Sequence, residues 1–208
     1  MFLIETKDLR DCTKVGHSLN ITPHQATVQY ADDDYVTLTE HLIPVFHHAT
    51  STVPLEEVSI KVDEFILQCI NQYSSMSVFD NGIVTFGTGS GEVTYRYTEG
   101  SIIEMVTRLP PLMCCFETRD LPLTEVETVI LTTTSKKLNI GKVFHLPTVY
   151  VFDEMKEPVQ FQTKYVLDAI RGDGCGGLCK MYLEPEFPVC FETVKASGVK
   201  KRVFIAPL

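Results

Sequence analysis

Two groups of glycines have a spacing that could bind a nucleotide. Gly172, Gly174 and Gly177 match the G-x-G-x-x-G pattern, in which a pyrophosphate meets the N-terminus of a helix. That site needs the glycines after a strand and before a helix, whereas here a predicted helix precedes them and a predicted strand follows. The run Gly87–Gly91 lacks the Gly-Lys-Ser/Thr ending of a phosphate loop. Both groups are therefore predicted to form turns, and no cofactor is expected.

Cysteine, histidine and aspartate offer the next possible chemistry. Cys175 and Cys179 are four residues apart and Cys114 is adjacent to Cys115, but no second pair has the spacing of a zinc site. The triplet Asp32–Asp34 is typical of a solvated turn. The sequence contains no Gly-x-Ser-x-Gly nucleophile elbow. We expect no metal site, no catalytic residue and no enzyme activity.

Composition limits the class of protein. The chain has 208 residues, of which 44% are hydrophobic and 22% are charged, as in a folded globular protein. Seven scattered cysteines are typical of reduced thiols in a nuclear or cytoplasmic protein. The start of the chain lacks the features of a signal peptide, and no apolar run is long enough to span a membrane. We expect a protein that is neither secreted nor membrane-bound.

The C-terminal run Met155–Leu208 has the clearest local pattern. A short strand precedes a helix at Thr163–Arg171, where Thr163 is a plausible N-cap and apolar residues recur at helical spacing. Three further strands, separated by turns rich in proline, glycine and serine, complete the prediction. They are Leu178–Glu184, Val189–Lys195 and Val199–Ala206.

Earlier in the chain, many short strands alternate with few helices. Helices are predicted at Leu9–Leu19 and at Asp63–Gln72, and Asn81-Gly82 indicates a hairpin. This mixture predicts an α+β fold in which helices cover one face of antiparallel sheets. Pro110-Pro111 opens a segment with the composition of a connector. The predicted domains are residues 1–109, a connector at 110–125, and a shortened second half at 126–208.

Several stretches resemble the sliding DNA clamps of the proliferating-cell-nuclear-antigen (PCNA) family. The strongest likeness covers about fifty C-terminal residues: the run Met155–Phe161, the helix beginning with Lys164-Tyr165, the strand Pro188–Lys195, and the ending Ile205-Ala206-Pro207. Weaker matches follow in the same order as in the family, at Asp33–Leu38, Ile66–Cys69 and Arg119–Leu123. The resemblance implies a clamp fold of two similar halves, each with two helices on one face of a curved sheet.

The resemblance also implies a function. A clamp is a non-catalytic processivity factor that encircles or cradles duplex DNA and tethers a polymerase or other proteins that carry clamp-binding peptides. It works as a homo-oligomer, here a trimer or dimer, whose edge strands pair between subunits; Glu92–Thr98 and Leu178–Glu184 are the candidates. Two alternatives stay open: a clamp-fold adaptor that binds proteins without encircling DNA, and an unrelated α+β protein.

Two sets of site residues follow from the resemblance. Basic side chains on the DNA side would contact phosphates non-specifically, although the net charge of −9 allows this only if they share one face. An apolar groove beside the connector and the last strand would bind partner peptides. The DNA-contacting residues would be Lys14, Lys136, Lys137, Lys164 and Arg171. The partner-binding residues would be Tyr35, Val36, Leu121, Leu123, Ala206 and Pro207.

The sequence departs from the family in three respects. It is shorter, mainly between Glu125 and Glu154, so that Ser135–Ile140 is either a remnant of a helix or the helix is lost. The helix at Asp63–Gln72 carries Phe65 and Gln68 where lysines are usual. The acidic C-terminal tail is absent. These departures suggest a trimmed clamp, as in some viral replication systems.

Overall fold

The computed structural model describes residues 1–34, 36–47, 57–79, 81–101, 108–122, 124–134, 136–142, 144–153, 158–171 and 177–208. Within these ranges the chain forms seventeen strands and three helices and divides into two compact units. Unit 1 comprises Met1–Tyr30, Glu40–Glu104 and Ala196–Val199. Unit 2 comprises Ala31–Thr39, Met105–Lys195 and Lys200–Leu208.

Unit 1 contains two antiparallel groups of strands. One has the order β5-β1-β7-β8-β9 and the other the order β4-β3-β2-β6, although Ala31 and Thr37–Thr39, at the adjoining ends of β3 and β4, are counted with unit 2. The elements are β1 (Phe2–Glu5), α1 (Thr6–Arg10), β2 (Ser18–Ile21), β3 (Gln25–Ala31), β4 (Thr37–Pro44), β5 (Phe46–His47), β6 (Val58–Lys61), α2 (Glu64–Gln72), β7 (Ser75–Val78), β8 (Ile83–Thr88) and β9 (Gly91–Arg96).

Unit 2 contains eight antiparallel strands and one helix in its described part. The strand order is β14-β11-β12-β13-β10-β15-β16-β17. The elements are β10 (Leu112–Glu117), β11 (Thr128–Thr134), β12 (Lys137–Ile140), β13 (Phe144–Val151), β14 (Val159–Gln162), α3 (Thr163–Arg171), β15 (Leu178–Tyr182), β16 (Val189–Val194) and β17 (Lys200–Ile205).

The two units repeat one architecture. The series β1-β7-β8-β9 in unit 1 corresponds to β10-β15-β16-β17 in unit 2, and β6-β2-β3-β4 corresponds to β14-β11-β12-β13. Backbone hydrogen bonds repeat as well: Thr6 N donates to Ser74 O at 3.1 Å, and Thr118 N donates to Gly177 O at 2.8 Å. The expected α+β fold of two similar halves is therefore confirmed.

This repeat corrects the predicted connector. Leu112–Glu117, placed in the connector at 110–125, form β10, which corresponds to the first strand of unit 1. The strand was missed because Met113–Phe116 are all buried and form a continuous apolar run without the alternation of a half-exposed strand. The link between the two sets of strands is therefore residues 97–111, of which 102–107 lie outside the described part.

The predicted first helix is also much shorter than expected. The helix α1 covers only Thr6–Arg10, and Leu19 belongs to β2 instead. Gly16 adopts φ 91°, a left-handed conformation that favours glycine and cannot continue a helix. In unit 2, Lys137–Ile140 form a strand rather than a remnant helix. Residues 118–127, which follow β10 as α1 follows β1, contain no helix in their described part.

One predicted subunit edge is wrong. The strand β15, proposed at Leu178–Glu184, pairs with β10 on one side and with β16 on the other, so its backbone groups are used within the chain. By contrast, β9 lies at the end of its strand series in the described part of unit 1. The edge predicted at Glu92–Thr98 therefore overlaps a strand with one unpaired side.

Each unit has its own hydrophobic core, and a helix covers each. In unit 1, Ile66, Cys69 and Ile70 of α2 are buried against strand residues. In unit 2, Val166, Ala169 and Ile170 of α3 do the same. A nine-residue helix is too short to be stable alone, so this burial is what holds each helix in place.

We expect Asp63→Ala to lower the free energy of unfolding by about 1 kcal/mol, the usual cost of losing an N-cap. Asp63 Oδ1 accepts a hydrogen bond from Ile66 N at 2.8 Å at the start of α2, and Tyr95 Oη donates to Asp63 Oδ2 at 2.9 Å. That hydrogen bond is also the main cause of the raised pKa of Tyr95. Urea unfolding measures the first effect, and ultraviolet titration should show the pKa of Tyr95 falling in the variant. An unchanged tyrosine titration would contradict this assignment.

Candidate functional site

Lys164 is the predicted DNA contact with the clearest place on a helix. It lies in the first turn of α3, its side chain is exposed, and its ammonium is 4.3 Å from the centre of the Tyr165 ring. A hydrogen bond with Tyr165 raises the pKa of Lys164, and the negative charges of Asp34 and Asp32 raise it further. Lys164 is thus positively charged at neutral pH, but carboxylates stand nearby.

Arg171, at the other end of α3, already has partners. Its Nη1 is 3.3 Å from Asp168 Oδ1, and its Nη2 donates to the carbonyl of Leu121 at 3.3 Å. The side chain remains 34% exposed. Arg171 therefore holds the segment between β10 and β11 against α3 and offers only part of its guanidinium to a phosphate.

The other predicted DNA contacts lie on turns rather than helices. Lys136 and Lys137 are exposed at the turn between β11 and β12. Lys14 is exposed in the turn after α1, where its backbone N–H donates to His17 Nδ1 at 3.2 Å. The helix α2 contains no basic residue. A helical wall rich in lysine is thus not present in the described structure.

The predicted partner-binding residues are only partly brought together. Ala206 N donates to Val36 O at 2.9 Å, so the last strand meets the segment before β4 as expected, with Pro207 next in the chain. Leu121 packs against the core of unit 2, in the segment between β10 and β11 rather than in the link at 97–111. Tyr35 and Leu123 lie outside the described residues.

The sheet face of unit 2 opposite α3 contains apolar residues that the sequence analysis missed. Val203 and Ile205 belong to the core, so Phe204 between them faces the other side, as does its register partner Cys190. Phe204 is only 3% exposed and Cys190 is fully buried, although neither belongs to a core cluster. The alternation along β16 and β17 was the signal that could have identified this second apolar face.

The end of the link 97–111 is fixed on unit 2. Leu183 N donates to Pro111 O at 3.1 Å. Arg108 forms an ion pair with Glu184, and its guanidinium carbon is 5.2 Å from the centre of the Phe187 ring. These contacts place the end of the link beside the turn between β15 and β16.

A charged row crosses the same sheet face. Lys180, Glu192 and Arg202 are register partners on β15, β16 and β17. Glu192 is 3% exposed; its Oε2 is 2.8 Å from Arg202 Nε and its Oε1 is 3.7 Å from Lys180 Nζ. Tyr182 Oη also donates to Glu192 Oε1, at 3.3 Å. Burial and the negative charge of Glu192 raise the pKa of Tyr182 to about 12.

The cysteines do not form a reactive or metal-binding site in the described chain. Its six cysteines are buried thiols, and burial raises the pKa of Cys114 to about 12. A thiol with such a pKa contains little of the reactive thiolate at neutral pH. No group of three or more His, Cys, Asp or Glu side chains in the described ranges is arranged to hold a metal ion. The described helices are also too short or too polar to cross a membrane.

The sequence matches no family model, and no curated protein matches it. Solved structures do match over the full chain. The PCNA of A. fulgidus, bound to the C-terminal region of FEN-1, has a TM-score of 0.67 and 17% identity, covering 100% of this chain and 98% of that chain. A PCNA2–PCNA3 complex from Sulfolobus tokodaii matches with a TM-score of 0.60 and 13% identity, covering 100% of this chain and 99% of that chain. PCNA from Thermococcus kodakaraensis matches with a TM-score of 0.63 and 11% identity, covering 100% of both chains. This chain therefore has the fold of the PCNA sliding clamps.

Proposed function

We propose that this protein is a clamp-type, non-catalytic DNA polymerase processivity factor. The observation that carries the proposal is the repeat of one architecture in two units, together with a clamp fold that extends over the whole chain. A clamp acts by holding its partner at a high effective concentration near DNA. It would work at the site of DNA replication, in the nucleus or cytoplasm, and its reduced helices fit the trimmed clamp of a viral replication system.

The proposed DNA contact is loose and electrostatic. The described helices carry Lys7 and Arg10 on α1, and Lys164 and Arg171 on α3. Contacts from such side chains to phosphates do not read sequence, weaken with salt and permit sliding. Because α2 has no basic residue, and Arg10 and Arg171 both donate to backbone carbonyls, we expect weak cradling of DNA by each subunit rather than tight binding.

The proposed partner surface is the sheet face of unit 2 opposite α3. Its accessible part is the junction between the half-buried Val36 and Ala206, together with the exposed end of the link at Pro111. Phe204 and Cys190 are buried and can support this surface but not contact a peptide. An extended peptide that docks on such a surface gains apolar contacts. The A. fulgidus PCNA was solved with the C-terminal region of FEN-1, which supports a peptide-binding role for this fold.

The proposed oligomer closes through strand edges. Among the described strands, β9 pairs on one side only. Phe144–Pro147 of β13 pair with β12, whereas the later residues of β13 pair with β10. We propose that β9 of one subunit pairs with the beginning of β13 of the next. The PCNA2–PCNA3 complex supports association between chains of this fold.

The test combines light scattering with duplex-DNA binding at two salt concentrations. We expect a dimer or trimer whose DNA affinity falls as salt rises. Lys164→Gln should weaken binding and reduce the slope of log K against log salt by about 0.9, the value for one lost phosphate contact. Lys200→Gln is the matched control, because Lys200 is exposed at the start of β17 away from the helix.

A second candidate function is favoured by the absence of basic residues on α2. It is an adaptor that keeps the clamp fold and the partner surface but does not encircle DNA. A monomer that ignores DNA at low salt would contradict the processivity proposal and support the adaptor. Equal effects of Lys164→Gln and Lys200→Gln would contradict the assignment of the DNA side.

A further inference from the structure

The turn between β7 and β8 contains a residue pair that can react without a partner. Asn81 is exposed in this turn, and Gly82 follows it. The backbone nitrogen of the residue after an asparagine can attack the side-chain amide carbon, because the two groups belong to one chain and close a small ring. A glycine in this position leaves the attacking nitrogen accessible, since it has no side chain to shield it. The proposed clamp function gives neither residue a role.

Asn81 differs from the other three asparagines of the chain, which are Asn20, Asn71 and Asn139. Asn20 and Asn139 are both followed by isoleucine, lie on strands, and have hydrogen-bonded side chains. Asn71 is followed by glutamine and lies in α2, where the backbone is held in helical geometry. In the described part of the structure, no hydrogen bond holds the side chain of Asn81. Asn81 is therefore the asparagine whose amide is best placed to react.

The turn holds Gly82 next to the end of β9. Phe79 N donates to Ile83 O at 2.9 Å and closes the turn, and Tyr97 N donates to Gly82 O at 3.1 Å. Gly82 has a φ of 82°, a left-handed conformation that favours glycine. Neither of these hydrogen bonds uses the nitrogen of Gly82. Attack by this nitrogen therefore does not require either bond to break first.

Arg96 supplies a positive charge at the same place. It is exposed at the end of β9, where it is the register partner of Ile83. A Cβ atom added to Gly82 would lie 3.8 Å from Arg96 Nη1, so the guanidinium stands beside the attacking residue. A positive charge there stabilises the anion that forms when the nitrogen of Gly82 loses its proton. It also stabilises the oxyanion of the tetrahedral intermediate that follows.

We propose that Asn81 is a deamidation site and that Arg96 promotes the reaction. The nitrogen of Gly82 gives its proton to hydroxide and bonds to Asn81 Cγ; the Cγ–Nδ2 bond then breaks and ammonia leaves with a proton from water. A second water opens the cyclic imide at either carbonyl, which gives aspartate or isoaspartate. The new carboxylate lies beside Arg96 and lowers the net charge at this end of β9 by one unit. Isoaspartate also lengthens the backbone of the turn by one carbon atom.

The test follows the folded protein in water labelled with heavy oxygen, at mildly alkaline pH. The protein is then digested in ordinary water and its peptides are measured by mass spectrometry, so that only products formed in the folded protein carry the label. We expect the Asn81 peptide to be converted at least about tenfold faster than the Asn71 and Asn139 peptides, because only Asn81 has an accessible attacking nitrogen. Chromatography should separate an aspartate and an isoaspartate product.

Two arginine variants test the role of Arg96. Arg96→Gln should slow the conversion of Asn81 about threefold, the effect of removing one charge a few ångströms away in water. Arg119→Gln is the matched control, because Arg119 is an exposed arginine of unit 2, and it should leave the rate unchanged. A loosened turn would reach the ring-closing geometry more often and react faster, so slower conversion in Arg96→Gln cannot result from a less stable fold.

The same comparison in concentrated urea separates folding from local sequence. Unfolding removes Arg96 from Gly82, so the parent protein and Arg96→Gln should then react at equal rates. Conversion of Asn81 no faster than that of Asn71 would overturn the proposal. Equal rates for Arg96→Gln and Arg119→Gln in the folded protein, or a difference that persists in urea, would overturn the role of Arg96. None of these measurements needs DNA or an oligomer, so they do not bear on the clamp proposal.

Discussion

Replacing Phe116 by alanine is expected to lower the free energy of unfolding of unit 2 by about 4 kcal/mol. Phe116 is fully buried on β10, and its ring meets that of Phe191 edge-on, with centroids 6.4 Å apart. Removing the ring loses the free energy gained by burying it away from water. It also leaves a cavity that rigid β-strands cannot close. Urea unfolding followed by circular dichroism measures the change.

Phe65→Ala is the matched control for this substitution. Phe65 lies on α2, is 38% exposed, and contacts Tyr95 with ring centroids 4.5 Å apart. We expect this variant to lower the free energy of unfolding by about 1 kcal/mol, the typical contribution of an aromatic pair. Similar losses for both variants would contradict the position of Phe116 in the core. If the two units unfold in separate steps, only the step of unit 2 should move with Phe116→Ala.

The second large effect is expected for Glu192→Ala, which should lower the free energy of unfolding by about 3 kcal/mol. The substitution leaves Arg202 and Lys180 without the buried carboxylate that joins them. Both cations are partly exposed, so water can solvate them in the variant and offset part of the destabilisation. The expected effect is therefore at the lower end of the range for a broken buried ion pair. The measurement is again urea unfolding, at neutral pH.

Two further variants test the explanation for Glu192. Glu117→Ala removes an exposed carboxylate 3.9 Å from Arg119 and should change stability by less than about 0.5 kcal/mol. Combining Glu192→Ala with Arg202→Met should recover part of the loss, because the buried site then holds no unpaired guanidinium. A double variant that is less stable than Glu192→Ala alone would contradict this account.

The local sequence pattern was sufficient to predict the elements with a clear hydrophobic periodicity. The predicted helix Thr163–Arg171 is α3, and the helix predicted at Asp63–Gln72 is α2 with Asp63 as its cap. The first helix was overestimated because Leu9, Val15 and Leu19 have a helix-like spacing. In the structure Val15 is 52% exposed and Leu19 belongs to a strand. Their spacing therefore reflects two elements joined by a turn.

The site residues could be predicted only where the chain is locally regular. Lys164 was placed correctly on α3, whereas Lys136 lies in the hairpin turn before β12 and Lys137 is the first residue of that strand. The contact between Val36 and Ala206 was expected from the family resemblance alone, because no local pattern joins residues so far apart in sequence.

The repeated strand order also determines how the protein must fold. In each unit the first strand pairs with one formed much later, as in Phe2↔Val78 and Glu117↔Leu178. Such distant pairings slow folding, because long loops must close before the contacts that stabilise them can form. During synthesis, the sheet of unit 2 cannot be completed until β17, near Leu208, has left the ribosome. A nascent chain that stops before Lys200 would therefore expose the apolar edge of β16 and be prone to aggregation.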